Sequence, residues 1–199
     1  MSGAASRRRA AGARTRCAAA LRTAGVAAVL PLLAGCIVVS ARLAPDGSGT
    51  MTMHYRVAYD ATEFLEKRRF TSSHVRVESV KITESLDAVV TLAFDDVAQL
   101  PTTPAFRDVR VVREREGDGE RVTVIVPRVT AIALAGATPR RPGAPGPQIT
   151  WYLPGRVREA NHGAVVSGNL VTWSFSLDDY LAEPSIDLSV RYDTAADTS

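Results

Sequence analysis

The groups in this 199-residue chain with chemical potential are two thiols, three imidazoles and a scatter of carboxylates and hydroxyls. Few of them stand where chemistry needs them. Cys17 and Cys36 both lie near the N-terminus, so residues 37–199 offer no disulfide, thiol nucleophile or thiolate metal ligand. His54 alternates with Thr50, Thr52 and Arg56, His74 with Arg76 and Glu78, and His162 sits in the turn composition Asn161-His162-Gly163. None has a second ligand at metal spacing, whereas a zinc site needs three or four convergent donors. No metal or cofactor is expected. The adjacent pairs Asp95-Asp96 and Asp178-Asp179 read as N-caps of short helical turns, because neighbouring side chains on a strand diverge. Gly117-Asp118-Gly119-Glu120 lacks the spaced acidic ligands of a calcium loop. No Gly-x-Ser-x-Gly elbow, Ser-x-x-Lys pair or phosphate-cradling glycine loop occurs. No residue is assigned a catalytic role, and the expectation is a protein that is not an enzyme.

That leaves Cys36. Residues 1–22 carry Arg7, Arg8, Arg9, Arg14, Arg16 and Arg22 and no acid, and residues 23–35 are apolar. A spanning helix needs about 20 apolar residues, so this shorter run fits a signal peptide. It ends Leu33-Ala34-Gly35-Cys36, which resembles the lipobox of bacterial lipoproteins. The resemblance implies a diacylglyceryl group on the Cys36 thiol and cleavage between Gly35 and Cys36, where the small Ala34 and Gly35 suit close approach by a peptidase. At about 0.8 kcal/mol per buried methylene, two or three acyl chains hold a protein to a membrane effectively permanently. The expected location is the extracytoplasmic face of the cell membrane. In a bacterium with two membranes, Ile37 in place of an Asp after the cysteine leaves the outer membrane open as well. Ser6-Arg7-Arg8 hints at twin-arginine export, but no bulky apolar residue follows at the expected place, and the route stays open.

Six of the 24 basic residues precede Cys36 and none of the 21 acidic ones does. The basic character of the whole chain therefore belongs to the leader, and the remainder is mildly acidic. Nucleic acid is not an expected partner, since a binder needs a basic stripe on its folded domain.

The elements behind Cys36 are read mainly from period-two alternation, the mark of strands with one buried face. In 50–59, Met51, Met53, Tyr55, Val57 and Tyr59 share the inward face. In 171–177 it is Val171, Trp173, Phe175 and Leu177, and 186–192 alternates likewise. Further strands are expected at 37–44, 74–82, 88–94, 108–115, 121–127, 148–154 and 164–167. Asp46-Gly47-Ser48-Gly49, Gly117-Asp118-Gly119 and Ser167-Gly168-Asn169 are hairpin turns. Asp60-Ala61-Thr62-Glu63 resembles a capping box with Asp60 as cap, opening a helix over 61–70. Short helical turns are expected at 95–100, stopped by Pro101, and at 177–182. Residues 136–147 hold four prolines and three glycines and read as an exposed loop. The expectation is a single α+β domain over 36–199, mainly β, as an antiparallel meander-like sheet with one or two short helices.

Lys67-Arg68-Arg69 ends the first expected helix. Cations there complement the helix dipole; on a membrane-tethered domain they also suit anionic headgroups, at about 1 kcal/mol per charge. The apolar strand faces pack as a solid core, the default for protein interiors, or line a lipid-sized cavity.

The layout as a whole, with the lipobox, then Asp46-Gly47-Ser48-Gly49-Thr50, then Leu92-Ala93-Phe94-Asp95-Asp96, then Leu153-Pro154-Gly155, Asn161 and Val171-Thr172-Trp173, resembles the LppM-like bacterial lipoproteins over most of 36–192. The resemblance implies a compact exported α+β domain that binds envelope lipid or glycolipid. The chain departs from the pattern by lacking a C-terminal transmembrane helix. A non-catalytic binding module is the expected function, with a scaffold that binds another envelope protein as the alternative and a hydrolase last.

Overall fold

The computed structural model describes residues 37–127 and 145–194. In chain order they form β1 (Val38–Leu43), β2 (Gly49–Arg56), α1 (Glu63–Phe70), β3 (Val75–Ile82), β4 (Asp87–Phe94) and a 3-10 helix (Val97–Thr102). There follow β5 (Arg110–Glu116), β6 (Gly119–Pro127), β7 (Pro145–Tyr152), β8 (Val157–Ala160), β9 (Val165–Ser167), β10 (Leu170–Ser176), α2 (Leu177–Ala182) and β11 (Ser185–Asp193). The expected α+β, mainly β fold forms. The expected leader with Gly35 and Cys36, and most of the expected Pro/Gly loop, lie outside the described residues. Residues 145–147 of that loop belong to β7.

The strands make two sheets rather than one meander. The larger has the order β3-β4-β2-β1-β7-β10-β9 and the smaller β5-β6-β11-β8. Among the described residues all pairings are antiparallel except β1 with β7, which run parallel, with Val38 opposite Gln148 and Arg42 opposite Tyr152. Each sheet is apolar on one face only, and a half-apolar sheet must bury that face against another layer. The inner faces of both contribute to one core, with Met51, Leu92, Trp151 and Trp173 from the larger sheet and Val122, Ile186, Val190 and Tyr192 from the smaller. On the outer face of the larger sheet, Thr52 meets Thr91 at 3.4 Å and Thr150 meets Thr172 at 3.2 Å, the cross-strand pairs that suit a solvated sheet surface.

Four local expectations change. Tyr59 does not continue the inward face. β2 ends at Arg56, the Val57 N–H bonds the Leu86 carbonyl at 2.8 Å, and Tyr59 stands 92% exposed in the following turn. Asp60 does not cap α1; Thr62 does, its Oγ1 accepting from the Leu65 N–H at 3.3 Å. At α2 the cap is Ser176, which accepts from the Asp179 N–H at 3.0 Å while its hydroxyl donates to the Asp179 carboxylate at 2.6 Å. Asp178 and Asp179 thus lie in the first turn, where negative charge suits the helix dipole. The 3-10 helix is capped by Asp96 as expected, but it runs through Pro101 to Thr102. β8 had no sequence signal, because only its Val157 is buried.

The sheets are stitched at one end by the Arg113 guanidinium, which an ion pair within the smaller sheet holds in place. Arg113 on β5 grips Glu120 on β6 at 2.8 and 3.0 Å, both side chains 17% exposed. The same guanidinium donates to the carbonyls of Pro45 (2.7 Å) and Asp46 (2.8 Å) in the β1–β2 turn of the other sheet. Tyr192 donates to Glu120 at 2.7 Å. Gly47 makes room for this lock: its φ is +91°, and a Cβ there would fall 2.2 Å from Arg113 Nη1. Removing one member of a largely buried ion pair strands the other. Glu120→Ala is therefore expected to destabilise the domain by about 3 kcal/mol, read as a lower urea midpoint with unchanged slope.

Candidate functional site

The space between the sheets is not completely filled. A partly enclosed cavity of about 100 Å³ lies between the two inner faces. The larger sheet lines it with Val39, Met53 and Ile149, the smaller with Val111, Val124 and Leu188. Phe70 of α1, Leu100 of the 3-10 helix and Tyr180 of α2 close its sides. All the described lining residues are apolar or aromatic, and the tyrosines keep the site uncharged. Burial pushes the Tyr180 phenol up to about 12. Burial, and then its hydrogen bond to Glu66, hold the Tyr55 phenol well above the ordinary tyrosine range.

The strand register fixes where the cavity lies. Val38 faces His54 on β2 and Gln148 on β7, which sets Ile37, Tyr55 and Pro147 at one end of the larger sheet. All three line the cavity, as does Val126 near the C-terminal end of β6. The cavity therefore reaches the end of the sandwich where β1 begins, opposite the Arg113–Glu120 lock. Interiors rarely keep voids much larger than a water. At about 24 cal/mol per Å³, an empty space of this size costs roughly 2 kcal/mol. With about 30 Å³ per water-sized group, it takes a short piece of hydrocarbon and not a whole acyl chain.

α1 is fixed beside the cavity by a buried carboxylate. Glu66 is 3% exposed, accepts from the Tyr55 hydroxyl and from Arg69 Nη1 at 2.9 and 3.1 Å. A buried carboxylate needs such partners, and the sequence contains no signal that this residue of α1 turns inward. The predicted basic group thereby divides. Arg69 is turned to Glu66, and Arg68 lies 5.9 Å over the Phe64 ring. Lys67 and Arg68 are both exposed on the outer surface of the helix.

The three histidines do not converge. His54 is exposed on β2, His74 pairs with Asp95 at 3.2 Å on the surface, and His162, at φ +51°, packs its ring against Phe175. Among the described residues, no three His, Cys, Asp or Glu side chains group as metal ligands. Nor is any helix among them long and apolar enough to cross a membrane.

The residues behind the Leu-Pro-Gly…Asn…Trp pattern join the two sheets. A Cβ on Gly155 would fall 1.8 Å from the Asp193 carbonyl oxygen of β11. The Asn161 side chain accepts from the Ser189 N–H at 2.8 Å and donates to the Asp187 carbonyl. The Asn161 carbonyl takes the Trp173 indole N–H at 3.0 Å. These positions hold the crossing from β8 in one sheet to β9 in the other. Comparison with protein-family models, with curated proteins and with solved structures found no match.

Two outcomes follow from the cavity. Val111 and Val124 face each other across β5 and β6, and both line it. Changing both to Ile partly fills the space and is expected to raise stability by about 1 kcal/mol, as cavity filling commonly does, measured by urea titration. The Tyr180 phenol also makes the fold sensitive to alkali. Its pKa is raised from 10.0 to about 12 on folding, so the folded state holds its proton longer. Its contribution is complete below pH 10 and is lost as pH rises to about 12. Tyr180→Phe should flatten that alkaline limb of a stability–pH profile.

Proposed function

We propose that this chain is a lipid-anchored, non-catalytic binding module of the bacterial cell envelope. In this reading it is held by acyl chains on Cys36 and takes the hydrocarbon part of an envelope lipid or glycolipid between its two sheets. The observation that carries the reading is the uncharged cavity of about 100 Å³ at the end of the sandwich adjoining Cys36. Its size suits the tip of an acyl chain or a branch of one, with the rest of the ligand left outside, in the membrane or at its surface. The ligand class also follows from the resemblance to LppM-like lipoproteins. Binding rather than catalysis is favoured because the described lining, apart from two tyrosine hydroxyls, is hydrocarbon and thioether and holds no carboxylate and no histidine.

A second reading, a scaffold for another envelope protein, is supported by edge strand β9, where Val165 and Val166 are 72% and 43% exposed. An unpaired edge strand is a template for strand addition.

The test is native mass spectrometry of the mature lipoprotein purified from membranes. A co-purifying lipid is expected in the unaltered protein and its loss in the Val111→Ile, Val124→Ile variant; absence of lipid from both leaves the scaffold reading ahead. Cys36→Ala should release the protein from carbonate-washed membranes, and full retention of that variant would remove the anchor.

A further inference from the structure

Five large hydrophobic side chains among the described residues are notably exposed, and three of them fall between residues 59 and 65: Tyr59 (92%), Phe64 (67%) and Leu65 (45%). They belong to the turn after β2 and to the first turn of α1. The helix itself sets their direction. Glu66 and Phe70, four residues apart, are its buried stripe, so Phe64 and Arg68, also four apart, project from the opposite side. Lys67 stands beside them. A shallow depression of about 510 Å³ next to Leu65 has Arg68 and Arg69 on its wall, together with Asp60 and Pro104.

This surface also lies at the Cys36 end of the larger sheet. Cys36 is two residues before Val38, within about 8 Å along the chain. Val38 faces His54, and β2 leaves the sheet at Arg56 directly into the turn that carries Tyr59. A lipid on Cys36 would therefore bring a bilayer to the end from which this turn and α1 depart.

We propose that Tyr59, Phe64 and Leu65, flanked by Lys67 and Arg68, form a membrane-docking patch that enters the headgroup region of an anionic bilayer. The proposal rests on the reading of Cys36 as the lipid anchor. Aromatic side chains partition to the membrane–water boundary. Arg68, stacked on Phe64, can follow that ring inward while its guanidinium stays among headgroups. Asp60 lines the same depression, and Glu66 is occupied by Arg69 and Tyr55. Apolar insertion therefore provides most of the attraction, and the cations provide the preference for negative lipid. The tether makes weak insertion sufficient, because the patch is already at high local concentration. Docked in this way, the domain would present the Cys36 end of its cavity to the bilayer.

The experiment uses the mature lipoprotein, in which acylation blocks Cys36 and cleavage removes Cys17, so that an introduced cysteine is the single free thiol. Phe64→Cys and, at the opposite end of the sheet, Ser48→Cys are each labelled with an environment-sensitive fluorophore. Both are reconstituted in vesicles of phosphatidylcholine alone or mixed with phosphatidylglycerol. The proposal expects the Phe64 probe to be quenched by lipid-borne nitroxide and shielded from aqueous iodide, more so on the anionic vesicles, while the Ser48 probe stays in water. Lys67→Glu with Arg68→Glu should abolish the difference between the two lipids. A Phe64 probe as open to iodide as the Ser48 probe overturns the patch. So does shielding from iodide without nitroxide quenching, which would indicate protein covering it, and equal insertion on both vesicles overturns the assignment to anionic lipid. Failure of the protein to float with vesicles, with a second free thiol, overturns the anchor on Cys36 and the patch with it.

Discussion

Neither sheet of this protein is a stable object alone. Each buries one face and hydrates the other, and an apolar sheet face must be covered by a second layer. Mutual cover is the constraint from which the rest of the structure follows. It places β5, β6, β11 and β8 opposite the larger sheet. It brings β7 beside β1 in a parallel pairing, and it leaves α1, α2 and the 3-10 helix to close the sides of the core.

The two ends of the sandwich are finished by different physics. At one end the sheets are joined by charge: Arg113 reaches from β5 to Glu120 and to two carbonyls of the β1–β2 turn, with Gly47 leaving space for it. At the other end the lining is hydrocarbon and incomplete. That asymmetry gives the domain a polar, locked end and an apolar end, the latter where β1 begins.

The Glu66 cluster has a place in the same scheme. By drawing Tyr55 and Arg69 onto one buried carboxylate, it fixes the rotation of α1 about its axis. That rotation turns Phe70 into the core and Phe64 out to solvent. A helix whose apolar residues do not form a stripe would otherwise have no preferred orientation on the sheet.

Much of the fold was legible in the residues themselves. Strict alternation at 51–57 and 171–177 marks strands with one buried face, because the two-residue repeat of a strand is a local property. Turn chemistry at Gly47, Gly117 and Gly168, all at positive φ, marks the hairpins for the same reason. What tertiary structure alone decided is which strands share a sheet, that β1 pairs in parallel with a strand more than a hundred residues later, and that β8 exists at all. Partner choice depends on which faces can cover each other, not on the residues of one strand. Tyr59 was misread because alternation continues past Arg56, where the backbone has already turned away. Glu66 was missed because a buried carboxylate has no sequence signature until its tyrosine and arginine partners arrive from β2 and the next turn of the helix. Between a solid core and a cavity the residues could not choose. A void is a shortfall between two packed surfaces, and no single segment carries it.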